Sequence, residues 1–202
     1  VQFWIDNSAA MQFSSHGESK QHRAATIALA LAILLNQAGE RVGTSDGALP
    51  PQTGRAQISA LAQAVARRTS HDFGTPITTD LIPNSLAVFA SDFFGDLAAL
   101  RQRVTRAAAL RVQGVLLMVL DPQELDFPFQ GRTLFESMAG SLRHESQNAD
   151  DLRPAYFQAL EERQAQLANL AQHLGWQFFI HHTDQPASGA LRDLYHALEY
   201  RR

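Results

Sequence analysis

Asp6, Ser8, Asp92 and Asp121 all fall just after runs of apolar residues. Val1-Gln2-Phe3-Trp4-Ile5 breaks into Asp6-Asn7-Ser8, Ser85 to Ala90 into Ser91-Asp92, and Gly114 to Leu120 into Asp121-Pro122. Such runs, rich in Val, Leu and aromatics, read as buried strands. In an open α/β sheet the carboxyl ends of parallel strands meet at one rim, where ligands bind. Carboxylates and a hydroxyl at that rim form a hard oxygen set suited to magnesium, calcium or manganese. Two carboxylates held close together repel, which invites a cation or a proton between them. The expected site is Asp6, Ser8 and Asp92, with Asn7, Ser91 and Asp121 as rim contributors. The competing explanation is structural, because Asp, Asn and Ser also cap helices and close turns.

Other chemistries find less support. An aspartyl-phosphate phosphatase calls for a second carboxylate where Ser8 stands, and the isolated Gly17 makes no phosphate-cradling loop. There is no Gly-x-Ser-x-Gly elbow for a serine hydrolase. His181-His182 offers imidazoles after the last apolar run, although one of such a pair is usually packed and the other solvated. The absence of cysteine excludes disulfides and thiolate chemistry. The net charge of -3, with scattered basic residues, argues against nucleic acid as a partner. The longest apolar run, Ala24 to Leu35, is short of the roughly 20 residues of a membrane span. No signal peptide is visible. The chain opens at Val1, inside a strand and without an initiator Met, which suggests a piece of a longer protein; the cytoplasm is its expected location.

The elements that must position these residues alternate. Helices are expected over Lys20–Ala38, closed by Gly39, then Arg55–Arg68, Leu97–Leu110, Asp150–Leu174 and Ala187–Leu198. Further strands are expected at Arg41–Ser45 and Trp176–Ile180, with a vestigial edge strand near Ala48-Leu49. Arg132–Phe135 and Ser141–Arg143 suggest a small hairpin about Ala139-Gly140. Alternating strands and helices imply a doubly wound, mostly parallel α/β sheet with helices on both faces. The 202 residues suit one domain.

The loop Asp6-Asn7-Ser8-Ala9-Ala10-Met11 resembles the Asp-x-Ser-x-Ser loop of von Willebrand factor A domains, which carries a metal-ion-dependent adhesion site. The whole chain is more similar to the bacterial von Willebrand factor A-like group called domain of unknown function fifty-eight. Gly39-Glu40-Arg41-Val42-Gly43, Ser91-Asp92-Phe93, Asp121-Pro122-Gln123-Glu124-Leu125, Tyr156 and Thr183-Asp184 follow the order of that group's motifs. The resemblance implies a Rossmann-type fold and a divalent cation, Mg2+ or else Ca2+ or Mn2+. Asp6, Ser8 and Asp92 match its ligands, with Thr53 as the candidate for the metal-loop threonine. Ala10 stands where the second serine belongs, so a degenerate, weakened site is expected.

The resemblance further implies protein binding rather than catalysis, with a MoxR-type AAA+ ATPase as partner in chaperone-like assembly or activation of other proteins. The alternatives are a magnesium-dependent hydrolase using Asp6, Asp92 and Asp121, and a purely structural domain.

Overall fold

The computed structural model describes residues 1–67, 69 and 71–199. In chain order, β1 (Gln2–Ile5) is followed by α1 (Lys20–Gln37), β2 (Gly43–Thr44), α2 (Arg55–Val65), β3 (Leu86–Ser91), α3 (Leu97–Ala109) and β4 (Gln113–Leu120). Next come α4 (Pro122–Asp126), a hairpin of β5 (Thr133–Glu136) and β6 (Arg143–Ser146), then α5 (Arg153–His173), β7 (Gln177–His182) and α6 (Ala187–Glu199). Short 3-10 turns cover Ala9–Gln12 and Ala149–Leu152.

Five strands form one sheet in the order β2-β1-β3-β4-β7, and every pairing is parallel. Alternate side chains of each strand point to opposite faces, so the sheet divides two cores. On one face Phe3, Ile5, Val88, Ala90, Leu117 and Val119 pack with α1, α2 and α6 through Ile27, Leu31, Leu61 and Leu194. On the other, Phe89, Leu116, Met118 and Trp176 pack with α3 and α5 through Leu100, Val104 and Leu167. This is the doubly wound, Rossmann-type layering that the alternation implies. Among the described residues no helix is long and apolar enough to cross a membrane.

Several local expectations change. α2 closes at Val65, and the expected end at Arg68 lies outside the described residues. No strand forms at Ala48-Leu49: the Leu49 carbonyl and amide close a turn on Thr44, and the antiparallel bridge is Val42 to Gln52. Pro50 and Pro51, which lack N–H donors, keep that edge short. The hairpin strands stand further along the chain than expected, with Thr133 opposite Ser146 and Glu136 opposite Arg143. β7 continues through His182, so both histidines belong to the strand. The short helix α4 adds to the expected elements, and Asp-Pro-x-Glu spells its cap.

Candidate functional site

The strand order reverses between β1 and β3. From β1 the chain moves outward to β2; from β3 it moves the other way to β4 and β7. The carboxyl ends at such a reversal splay apart and leave a crevice. Asp6 and Asp92 stand on its two sides, one residue beyond each strand.

Asp6 extends the ladder by donating its backbone N–H to the Ala90 carbonyl at 2.9 Å. Its carboxylate is buried, with Oδ1 accepting the Ser8 N–H at 2.8 Å and Oδ2 the Ser91 hydroxyl at 2.6 Å. The Ser91 oxygen in turn accepts the Phe93 N–H at 3.0 Å, where Phe93 takes a left-handed φ of 53°. Burial pushes the Asp6 carboxyl above its ordinary pKa, and the Ser91 and Ser8 contacts offset part of that rise. The Ser8 hydroxyl lies close enough to favour the carboxylate but outside ordinary hydrogen-bond geometry.

A segment from the β2–β3 connection closes over this loop. Thr69 N–H donates to the Asn7 carbonyl, and the Ala9 and Ala10 N–H groups donate to the carbonyls of His71 and Asp72 at 2.8 and 2.9 Å. Gly74 lies against Asp6 so closely that a Cβ there would stand 2.2 Å from Oδ1. The Asp72 carboxylate accepts the Ala139 N–H at 2.9 Å and the Ser141 hydroxyl, tying the hairpin to the same segment.

Asp92 meets a cation that belongs to the chain. Lys20 is the first residue of α1, its side chain is 1% exposed, and its Nζ lies 2.7 Å from Asp92 Oδ2 and 2.6 Å from Glu124 Oε1. Burial opposes the ammonium, but attraction to Asp92 and Glu124 outweighs it and raises the Lys20 pKa. Burial pushes the Glu124 carboxyl up, while Lys20 and the Asp121 N–H pull it back. Glu124 Oε2 accepts that N–H at 2.8 Å, and Asp121 accepts the N–H groups of Gln123 and Ser15, each at 2.9 Å. The rim is thus a chain of charges and caps linking β3, β4, α1 and α4.

The structure brings Asp6, Asn7, Ser8, Ser91, Asp92 and Asp121 together, and Ala10 sits among them with only a methyl to offer. It does not bring Thr53 there. Thr53 is exposed beside Gly54, whose N–H donates to Asn36 in the last turn of α1. The rise of an α-helix puts that turn ~24 Å from Lys20. The reason is the fold-back of residues 46–52 along Val42, which starts α2 at the opposite end of the sheet. His181 is buried, its Nε2 3.4 Å from an Arg23 guanidinium nitrogen; burial, then Arg23, depresses its pKa to about 4.

Sequence reasoning missed Lys20, Asp72 and Gly74 as parts of the rim. Lys20 did carry a signal. A positive charge on the first turn of a helix opposes the macrodipole, so its position there points to a partner elsewhere.

The donors do not fit the divalent cation that the resemblance implies. Both oxygens of Asp6 and both of Asp92 already accept protein hydrogen bonds, and the one on Asp92 Oδ2 comes from an ammonium. Ala10 supplies no ligand, and Thr53 stands at the other end. Among the described residues no three His, Asp or Glu side chains converge on a common ion position.

Beside the rim opens a cavity of about 540 Å³. Its walls include Phe13, Phe94, Phe127, Phe129, Phe135 and Tyr156, with Glu124 and His144 among its polar margins. Phe127 stacks on Phe135 with ring centroids 5.9 Å apart, and the Tyr156 hydroxyl donates to the Glu124 carbonyl at 2.7 Å. The cavity and the ion pairs therefore share Glu124.

Comparison with known proteins identifies the family of the chain. The chain is 24% identical over 196 residues to Uncharacterized protein Rv1480 of Mycobacterium tuberculosis, and equally to Uncharacterized protein Mb1516 of Mycobacterium bovis. Each match covers 90% of this chain and 61% of the relative, so the chain spans about three fifths of those proteins. No solved structure matches. The model of the family described as protein of unknown function DUF58 matches residues 1–166, and the chain belongs to that family.

Proposed function

We propose that this chain is a protein-docking module whose binding surface is the rim of the sheet together with the adjoining aromatic cavity. The partner class is a MoxR-type AAA+ ATPase in the cytoplasm, acting with this domain in chaperone-like assembly or activation of other proteins. The observation that carries the reading is the division of labour at the rim. Lys20, Asp92 and Glu124 are engaged with one another, Asp6 and Asp121 are held by N–H groups and a hydroxyl, and the neighbouring surface is a ring of aromatic side chains. Aromatic-lined pockets are where binding energy concentrates in protein interfaces.

The test is calorimetric titration of the purified ATPase into the parent and into Phe129→Ser. Loss of one aromatic wall should weaken binding at least tenfold, on the order of 1.4 kcal/mol, with the far-ultraviolet spectrum unchanged. Absence of binding by the parent, or affinity kept within twofold in the variant, overturns the reading.

A further inference from the structure

The geometry points to Lys20 as a tethered replacement for the divalent cation, making this rim a built-in, metal-independent form of an adhesion-type site. The inference concerns how the strand-tip charge is balanced and does not depend on which partner docks.

A lysine is strongly hydrated and is seldom fully buried without partners. Here the ammonium is withdrawn from water at the start of α1, where the helix dipole gives it no support. What holds it is a pair of carboxylates on separate elements, Asp92 after β3 and Glu124 in α4. The Phe94 ring lies 5.2 Å away and the Phe13 ring 6.0 Å away, both within cation–π range. An ammonium is a compact point charge with three donors. It does what an ion between strand tips does: it neutralises a carboxylate and ties the start of α1 to the ends of β3 and β4.

Asp92 is the position that the adhesion-type reading assigns to the ion. With Lys20 on its Oδ2, a second cation at the same carboxylate would meet a fixed positive charge. Removing the ammonium frees Asp92 Oδ2, and the repulsion between Asp92 and nearby Asp6 then invites a divalent ion to displace the local N–H and hydroxyl donors.

Mn2+ and Mg2+ are the probes, read by melting temperature and by water-proton relaxation with Mn2+. The parent should show no saturable Mn2+ binding and no melting shift between EDTA and millimolar Mg2+. Lys20→Ala should melt lower in EDTA and recover several degrees with either ion, since binding to the folded state alone stabilises it. Lys20→Met/Glu124→Gln keeps the net charge of the cluster, guards against loss of folding in the single variant, and should also gain saturable Mn2+ binding. Adding Asp6→Ala should abolish that gain. Saturable binding in the parent that Asp92→Asn removes overturns the proposal, as does failure of both Lys20 variants to acquire ion binding.

Discussion

Burial keeps the His181 imidazole neutral at physiological pH, since charging it would place a cation beside Arg23. Its pKa falls from 6.5 to about 4 on folding. A depressed histidine contributes its stability above the unfolded value and loses it as pH falls from about 6.5 towards 4. The loss expected from this residue is about 3 kcal/mol. Urea unfolding of the parent and of His181→Gln at pH 7 and pH 4 checks it, and the variant should lose less stability across that interval. Asp6 works in the opposite direction: its raised carboxyl takes up a proton more readily in the folded state, which favours folding as pH falls towards the unfolded value. Comparing parent with variant cancels that contribution. Identical pH slopes in the two proteins would show that His181 does not stay neutral in the fold.

At the scale of elements, α4 depends on one side chain. Asp121 caps it by accepting the Gln123 N–H while Glu124 returns to the Asp121 N–H, a reciprocal capping box with Pro122 at the first position. The other Asp121 oxygen holds the Ser15 N–H, so the cap also fastens the segment leading into α1. Losing an aspartate cap costs about 1 kcal/mol, and the second bond adds roughly another. Asp121→Ala should therefore lower stability by about 2 kcal/mol in chemical denaturation and expose the Gln123 and Ser15 amides to hydrogen exchange. A loss under about 0.5 kcal/mol, the size of an ordinary surface change, would mean that α4 is held by packing rather than by its cap.

At the scale of the whole molecule, the rim exists because distant segments close on one point. Gly74 comes from the β2–β3 connection and Asp6 from the end of β1, yet they meet without room for a methyl between them. The conflict in Gly74→Ala is with a buried, hydrogen-bonded carboxylate. The segment must move, at a cost of about 1–3 kcal/mol. Faster amide exchange at Ala9 and Ala10, whose bonds run to His71 and Asp72, should accompany the lower melting temperature. A variant that melts like the parent with those amides still protected would place the closure elsewhere.

Strand runs, helix periods and polar strand tips are local properties, and they sufficed for the layered parallel fold and for Asp6, Ser8, Ser91, Asp92 and Asp121 at one rim. Local pattern also carries the Asp-Pro-x-Glu cap of α4. What the chain order does not encode is which segments fold across one another. Thr53 goes to the opposite end because residues 46–52 turn back along Val42. Asp72 joins a hairpin 67 residues away, and Lys20 reaches Glu124 across 104. Those pairings depend on where the sheet places β1, β3 and β4, and the burial of Lys20 in particular is tolerable only because two carboxylates from separate elements lie within reach.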